Sequence, residues 1–445
     1  MSDTSTHFEY IAGLWQSVAN RGRALVGIKR PTPLGVDVLI DLAGKLLSGR
    51  GEASGAATAA TLLAGFAALS GADKREFLER ASAVYGPDLA ALGDAARAFL
   101  DAPDPAQAAE VFARAEPMRQ ELIRRLNHAP GGTFALVKMR ETLLAALKEG
   151  AALEAFDRDF RHLFASWFNP GFLVLRRIEW TTPANILEKI IRYEAVHEIS
   201  TWDELRRRLD PPDRRLYAFF HPALADEPLI FVEVALTLAI PDAIQPLLAS
   251  DRTALAPRSA TTAVFYSISN AQAGLNGVSF GNFLIKQVVE DLRRELPRLQ
   301  TFVTLSPVPG FARWLSQERA DETSRYLGAE SRRVLEAIEA GETPETADRT
   351  LSMLAAAYFL QARTSSGRVI DPVARFHLGN GARLERINAR GDLSPAGLRQ
   401  SIGVMVNYLY DPDQIEANHE AFANRNVVAA SSAVKKLAAP VAVKG

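Results

Sequence analysis

The chain has 445 residues and a mass of 48.5 kDa, enough for about two or three domains at roughly 150 residues each, and 48% of its residues are apolar. Its 51 Lys and Arg residues against 52 Asp and Glu give a formal charge of -1, so no global field favours a polyanion and no nucleic-acid partner is expected. The absence of cysteine excludes disulfides, thiolate nucleophiles and cysteine-ligated metals.

Membrane and export signals are missing from the sequence as given. No apolar stretch approaches the ~20 residues of a membrane span, and the first ten residues, MSDTSTHFEY, have neither a basic start nor an apolar signal core. We therefore expect a cytoplasmic protein without a membrane partner.

The first part of the chain predicts a helical bundle. Sixteen alanines fall within residues 51–100, against six within 251–300, and no strand pattern occurs. Asp73 with Glu76 is predicted to cap one helix, and Pro105 to open another that runs through Leu126. Helix-breaking residues divide the region at 31–33, 49–51, 86–87 and 129–132.

From Asn169 onward the pattern predicts a mixed α/β domain. A helix with apolar residues spaced from Leu284 to Leu296 follows a glycine loop, and a longer helical stretch covers 313–361. Because the glycine loop and the first helix lie between two predicted strands, the order is strand, loop, helix, strand. The last eight residues are expected to be a loose tail. The predicted strands are 216–220, 228–237, 263–268, 301–305, one around Phe376, 384–387 and 404–408.

Three glycines, at 274, 277 and 281, lie between the strand at 263–268 and the next helix. Bare backbone followed by the free N–H groups of a helix start is suited to hold a pyrophosphate. The spacing G-x-x-G-x-x-x-G is neither the dinucleotide fingerprint nor a Walker A motif. A βα turn without a ligand therefore remains an alternative on the glycines alone.

General acid–base candidates are few, because the chain has seven histidines. His221 and His377 lie at predicted strand ends, where sites often gather, although either residue taken alone is more often a hydrogen-bonded structural histidine. No H-x-x-x-H pair occurs, so no metal site is expected. Ser306 precedes a proline and on its own indicates a turn, and no G-x-S-x-G elbow points to an α/β hydrolase. Spacing cannot pair Ser306 with His377, since 71 positions separate them.

Several longer blocks resemble the malonyl-CoA decarboxylase family. The resemblance is strong over about residues 167–411 and weaker over the helical part, where it rests on LVKMR at 136–140. The blocks are FFHP at 219–222, EPL at 227–229, FYSIS at 265–269, GLNGVSFGNFLIK at 274–286, LSPVPGF at 305–311, FHLGNGA at 376–382 and NY at 407–408.

The resemblance implies an α+β fold in two domains. Residues 1–168 would form an all-helical bundle that mediates oligomer contacts, and residues 169–445 a GCN5-type acetyltransferase-like mixed α/β catalytic domain. The implied reaction converts malonyl-CoA to acetyl-CoA and carbon dioxide. No cofactor is implied, because coenzyme A is part of the substrate, and the implied partner is a second copy of the chain in a homodimer or homotetramer.

The resemblance also implies site residues. The implied catalytic residues are Ser306 and His377, and the segment from Gly274 to Asn282 would bind the pyrophosphate of coenzyme A. Ser279 stands where eukaryotic relatives have a glutamate, so a carboxylate there cannot take part in this chain. The implied substrate-binding residues are Ser267, Asn270, Gly274, Gly277, Ser279, Phe280, Gly281 and Asn282.

Such a reaction leaves electrons on the thioester as an enolate. Backbone N–H groups near Ser267 are the expected donors to the enolate oxygen. Ser306 would hold the carboxylate without a charge and His377 would relay a proton, with the final donor left open. Two alternatives remain: a coenzyme A-dependent acyltransferase on the same fold, and a non-catalytic acyl-CoA sensor. Malonyl-CoA supplied without an acceptor separates the enzymes, since only a decarboxylase then makes acetyl-CoA.

Overall fold

A computed structural model describes residues 34–49, 51–149, 153–278 and 283–438 and divides the chain into two compact units. The first unit runs through Phe172 and includes His221–Ala225 and a segment beginning at Gln272; the second contains the rest. The breaker predicted at 31–33 and all of the predicted tail after Ala438 lie outside the described residues. None of the described helices has the length and apolar character needed to cross a membrane.

The first unit is helical wherever it is described. Its helices end at the glycines and prolines that predicted the breaks at 49–51, 86–87 and 129–132. They are α1 (Val36–Ser48), α2 (Glu52–Ala68), α3 (Gly71–Val84), α4 (Leu89–Asp101), α5 (Pro105–Ala115), α6 (Met118–Asn127), α7 (Gly132–Ala146) and α8 (Glu154–Trp167).

Two predicted helix boundaries in this unit are wrong. The cap of α3 is Ser70, whose hydroxyl accepts from the Asp73 N–H at 3.2 Å, so Asp73 lies inside the first turn. The helix predicted from Pro105 to Leu126 is two helices, because Pro117 holds the preceding residue extended and lacks an N–H.

Buried ion pairs tie the last three helices of the first unit together. Arg119 on α6 contacts Asp159 on α8 at 2.7 Å, and Arg140 on α7 contacts Asp157 on α8 at 2.9 Å. Removing either partner would leave a buried charge without compensation. Arg140 also donates to the Gly274 carbonyl at 2.6 Å, which fixes the glycine segment against α7 within the same unit.

The second unit is built on an eight-stranded sheet in the order β1-β2-β3-β4-β5-β8-β6, with β7 paired to β8. The β4–β5 pair is parallel and the other pairs are antiparallel. The strands are β1 (Val174–Ile178), β2 (Arg214–Phe220), β3 (Pro228–Thr237), β4 (Thr262–Asn270), β5 (Thr301–Thr304), β6 (Ser306–Pro307), β7 (Arg383–Asn388) and β8 (Met405–Leu409).

Helices connect these strands and bury their apolar side chains. Every residue of β2 is buried, as expected for a strand covered on both faces. The helices are α9 (Ala184–Tyr193), α10 (Trp202–Leu209), α11 (Gln245–Leu248), α12 (Phe283–Glu295), α13 (Phe311–Ala320), α14 (Ala329–Glu339), α15 (Ala347–Leu360), α16 (Pro372–Gly379), α17 (Pro395–Ser401), α18 (Ile415–Arg425) and α19 (Ser432–Leu437). The predicted architecture of a helical region followed by a mixed α/β region is confirmed.

Strands β4 and β5 part in the middle of the sheet. Their parallel pairing ends at Phe265 and Thr304, while β4 continues to Asn270. A β-bulge at this point leaves Tyr266 as an extra residue opposite β3. Ser267 and Ser306 therefore each lie two residues beyond the last residue pair between β4 and β5. The predicted order of strand, loop, helix and strand is confirmed.

One element of the second unit differs from the prediction. The strand expected around Phe376 is wrong, because this residue lies in α16. Asp371 caps that helix by accepting from the Ala374 N–H at 2.8 Å, and Pro372 occupies its first turn, a local start signal that outweighs the short apolar run. The helical stretch predicted over 313–361 consists of the three helices α13, α14 and α15.

Candidate active site

Ser306 and His377 meet in the interior of the second unit, although 71 residues separate them. Ser306 Oγ lies 3.2 Å from His377 Nε2. Ser306 follows β5 and pairs through β6 with Val406 of β8, whereas His377 lies in the last turn of α16 rather than at a strand end as predicted. Both side chains are at most 5% exposed, so the pair is enclosed by protein.

The hydrogen bonds around this pair have a consistent direction. The Tyr410 hydroxyl lies 2.8 Å from His377 Nδ1. On the other side, Ser306 Oγ donates to Thr304 Oγ1 at 2.8 Å. If Tyr410 donates to Nδ1, then Nε2 carries the imidazole proton and donates to Ser306, which gives every member a partner. We call Thr304, Ser306, His377 and Tyr410 the neutral cluster.

Burial keeps the imidazole of the neutral cluster uncharged. Loss of solvent lowers the pKa of His377 from its ordinary 6.5 to about 3, and the ring stacks on Tyr408 with centroids 4.6 Å apart. Burial likewise raises the pKa of Tyr410 well above 10. At neutral pH the cluster therefore consists of hydroxyls and a neutral imidazole.

Two further buried side chains hold the neutral cluster in place. Asn407 on β8 donates to the carbonyl of Thr304 at 2.8 Å, and the Tyr408 N–H donates to the Thr304 hydroxyl at 3.1 Å. Asp371 caps the helix that carries His377, and its own burial raises its pKa to about 6. The register of β8 and the start of α16 thus determine where Ser306 and His377 lie.

Ser267, expected in the substrate pocket, belongs to a second buried cluster. Its Oγ lies 2.8 Å and 2.9 Å from the two carboxylate oxygens of Glu194, and Ser269 donates to the same carboxylate at 3.2 Å. Close by, Arg208 pairs with Glu233 at 2.9 Å. We call these five residues the charged cluster. Asn270, another expected substrate contact, is exposed at the end of β4.

The local structure explains why glycine occupies two positions of the glycine segment. A Cβ on Gly274 would lie 2.0 Å from the Val137 carbonyl of α7, so only glycine fits this contact. Gly277 has a φ of +77°, a conformation that glycine adopts readily, and the nearest atom to its Cβ position is 3.8 Å away on Arg161. The other predicted contacts in this segment, Ser279, Phe280, Gly281 and Asn282, lie outside the described residues.

His221, the second histidine singled out from the sequence, has a structural role. Its Nδ1 accepts from the Ala223 N–H at 3.1 Å, and its Nε2 lies 3.0 Å from the Trp167 carbonyl. Its ring also packs on Phe168. Both ring nitrogens are therefore used within the first unit, and neither is free for a substrate.

Sequence reasoning missed six of the nine cluster members, and also Asp371 at the start of α16. Tyr410 follows β8 and Thr304 ends β5, so only strand pairing brings them to Ser306. Glu194 follows the last residue of α9, a position that by itself indicates only a helix end. The Asp371–Pro372 helix-start signal was available in the sequence. Across the described part of the chain, no group of acidic and histidine side chains is placed to hold a metal ion.

Comparisons with known proteins agree along almost the whole chain. The malonyl-CoA decarboxylase N-terminal domain matches residues 85–168, and the malonyl-CoA decarboxylase C-terminal domain matches residues 171–444. The mitochondrial malonyl-CoA decarboxylase of Mus musculus is 32% identical over 408 residues, which cover 82% of each chain. The corresponding enzyme of Anser anser anser is 37% identical over 72% of this chain and 69% of its own.

Solved structures extend this agreement to the fold. The malonyl-CoA decarboxylase of Rhodopseudomonas palustris is 61% identical, with a TM-score of 0.87, over 91% of this chain and 100% of its own. That of Agrobacterium vitis is 56% identical, with a TM-score of 0.85, over 90% and 99% respectively. The chain therefore belongs to the malonyl-CoA decarboxylase family.

Proposed function

We propose that the protein decarboxylates malonyl-CoA to acetyl-CoA and carbon dioxide through a thioester enolate, with Ser306 and His377 acting on the substrate carboxylate and on the new C–H bond. The observation that carries this proposal is the contact of Ser306 Oγ with His377 Nε2 in a buried, uncharged cluster. Membership of the family supports malonyl-CoA as the substrate, and the geometry supports the proposed roles of Ser306 and His377.

An uncharged cluster suits a reaction in which negative charge leaves the carboxylate. A cation on the carboxylate would stabilise the substrate more than the transition state, in which that charge migrates to the thioester. Among the described residues, no Lys or Arg bonds to Ser306 or His377. Hydroxyl and imidazole N–H donors can hold the carboxylate so that the bond from Cα to the carboxyl carbon stands perpendicular to the thioester plane, without this cost.

Proton delivery follows from the direction of the hydrogen bonds. Loss of carbon dioxide breaks the bond between Cα and the carboxyl carbon and leaves its electron pair in the enolate. Ser306 turns from Thr304 and gives its proton to Cα, His377 passes its Nε2 proton to Ser306, and Tyr410 gives its proton to Nδ1. After the product leaves, solvent supplies one proton to His377 Nε2 while Nδ1 returns its proton to Tyr410. The starting protonation is then restored, and one solvent proton is consumed for each carbon dioxide released. His377 is neutral before and after the transfer, in keeping with its low pKa.

The proposed reaction needs no cofactor beyond the coenzyme A that the substrate carries. We assign the pyrophosphate to the glycine segment from Gly274 to Asn282. Gly277→Ala tests this assignment, because it strains a backbone at φ +77° where the Cβ itself has space. Gly131→Ala is the matched control, with a φ of +72° and open space. We expect weaker coenzyme A binding in the first variant alone; equal affinity in both removes the segment from the site.

The reaction is tested with purified full-length protein and malonyl-CoA in the absence of any acyl acceptor. A decarboxylase releases carbon dioxide and acetyl-CoA in equal amounts. An acyltransferase makes no acetyl-CoA from malonyl-CoA when no acceptor is present, and a sensor binds malonyl-CoA without turnover. Absence of carbon dioxide release with intact binding of malonyl-CoA contradicts the proposed activity.

Self-association through the helical unit is also part of the proposal. Leu89 and Leu100 on α4 and Phe112 on α5 are highly exposed, with Phe112 81% accessible. These two helices pack on each other, and α5 buries none of its side chains in the described structure. A second copy of the chain would cover this apolar surface. The double variant Leu100→Glu, Phe112→Glu should lower the mass measured by light scattering, and an unchanged mass excludes this surface.

A further inference from the structure

Glu194 is a buried carboxylate whose four lone-pair positions all have donors. It follows α9, and its Oε1 accepts from the N–H groups of Val196 at 2.9 Å and His197 at 2.8 Å. The hydroxyls of Ser267 and Ser269 supply the other donors. A turn closed on its own carboxylate thus places a fixed acceptor beside the part of β4 that has left β5.

This arrangement determines the direction of the Ser267 hydroxyl. An ionised carboxylate only accepts hydrogen bonds, and Ser267 Oγ lies 2.8 Å and 2.9 Å from the Glu194 oxygens but 3.3 Å from Ser269 Oγ. The Ser267 proton therefore points toward Glu194. The rest of the Ser267 oxygen then presents only lone pairs. A protonated Glu194 would itself donate to Ser267, and the serine proton would be free to turn to another acceptor.

We propose that Glu194 is a positioning residue for the substrate, whose ionised form makes Ser267 a hydrogen-bond acceptor for an amide N–H of the pantetheine arm. This inference rests on the proposed function, because it requires a coenzyme A thioester beside β4. Past Phe265 this strand has no pairing with β5, and an extended chain with two amides can bind there as an added strand does. The hydrogen bond to the pantetheine amide then forms only when the Ser267 oxygen is available as an acceptor.

The charges that face Glu194 place its titration near neutrality. Burial and repulsion by Glu233 raise the pKa of Glu194 to about 7, against the lowering effect of its hydrogen bonds. Arg208 pairs with Glu233, while His197, whose pKa is lowered to about 4, and Tyr266, whose pKa is raised well above 10, are neutral. Glu194 gains a proton as the pH falls through 7, so Ser267 loses its acceptor role below that pH.

Glu194→Gln reverses the direction of the hydrogen bond to Ser267 without changing the shape of the side chain. The amide oxygen continues to accept from the two backbone N–H groups, and the amide nitrogen then donates to Ser267. We expect coenzyme A affinity at pH 8 to fall about tenfold, with a matching rise in KM for malonyl-CoA and a kcat within about twofold. Glu188→Gln, an exposed change on α9, is the control and should leave both constants unchanged.

The pH dependence separates positioning from a merely structural role. Wild type should bind coenzyme A more weakly as the pH falls from 8 to 6, whereas Glu194→Gln and Ser267→Ala should show no such step. When Ser267→Ala is already present, adding Glu194→Gln should cause no further loss of coenzyme A affinity. A further loss of affinity in the double variant overturns the inference. A change in affinity near pH 7 that persists in Ser267→Ala also overturns it.

Coenzyme A binding is measured by calorimetry, so the outcome does not depend on turnover. If wild type binds coenzyme A but releases no carbon dioxide, the proposed function fails while the role of Glu194 in binding is still measured. If Glu194→Gln does not fold, as judged by circular dichroism, the comparison of wild type with Ser267→Ala across pH decides alone. Equal pH dependence in those two proteins contradicts the proposal.

Discussion

The two buried polar clusters of the second unit solve different physical problems. The neutral cluster around His377 has no formal charge, because burial lowers the pKa of the imidazole to about 3. The charged cluster keeps the Arg208–Glu233 pair and a further carboxylate, Glu194, whose pKa is raised to about 7. We propose that the two clusters have different roles: proton transfer in the cluster whose charge is constant with pH, and substrate positioning in the cluster whose charge changes near neutrality.

The largest expected effect follows removal of the imidazole from the neutral cluster. His377→Asn removes the bond to Ser306 and the relay from Tyr410, so we expect kcat to fall by about 10²–10⁴-fold. Coenzyme A affinity should change by less than about twofold. His162→Asn, an exposed change, is the control. A His377→Asn enzyme with near-normal release of carbon dioxide would remove the imidazole from the reaction.

Tyr410 tests the far end of the same relay. Tyr410→Phe keeps the ring but removes the hydroxyl that lies 2.8 Å from His377 Nδ1. With this proton source lost, we expect kcat to fall by about tenfold and the solvent deuterium isotope effect on kcat to change. Ground-state binding should be intact, because the loss concerns proton transfer. An unchanged kcat would mean that protons reach Ser306 by another route.

Asp371 tests whether the helix start positions His377. Asp371→Ala removes the cap of α16 and should lower the free energy of unfolding by about 1 kcal/mol, with a several-fold fall in kcat. Asp371→Asn keeps a capping oxygen and should retain most of both quantities. If the two variants lose activity equally, the charge of Asp371 matters and capping alone is an insufficient account.

The protonation of His377 can be followed directly, and the expected change is the smallest of the series. Its pKa of about 3 predicts no shift of its ring resonance between pH 5 and 8 in ¹³C-histidine-labelled protein. The unfolded chain titrates near 6.5, so the native state resists protonation and this group lowers folding stability as the pH falls from about 6.5 toward 3. A native titration midpoint near 6.5 would contradict a dry neutral cluster.

The sequence predicted best what depends on local patterns. Apolar runs of strand length located β3 and β5, and periodic apolar residues located α12. The strand around Phe376 failed because a short apolar run does not distinguish a strand from a buried helix, and the Asp371–Pro372 cap decided the outcome. Breaks at single residues such as Pro117 were missed for a similar reason, since one residue ends a helix that the pattern continues.

The site could be assembled from sequence only through family resemblance. Ser306 and His377 are brought together by β8 pairing with β6 and by α16, neither of which any spacing encodes. Tyr410 and Glu194 gave no sequence signal, because their partners, His377 on α16 and Ser267 on β4, are distant from them in the sequence. Gly274 shows the opposite case: a glycine predicted to approach a phosphate is required by its contact with Val137. The roles of these residues, the oligomer and the compartment stay predictions.

The most direct measurement compares Ser306→Ala with Ser316→Ala, an exposed change on α13, using malonyl-CoA alone as substrate. Carbon dioxide and acetyl-CoA are quantified in the same reaction, and coenzyme A affinity is measured by calorimetry. The account predicts that Ser306→Ala loses at least about 10²-fold in turnover at unchanged affinity, while Ser316→Ala behaves as wild type. Near-normal turnover in Ser306→Ala would contradict the central claim that an uncharged hydroxyl and imidazole carry out this decarboxylation.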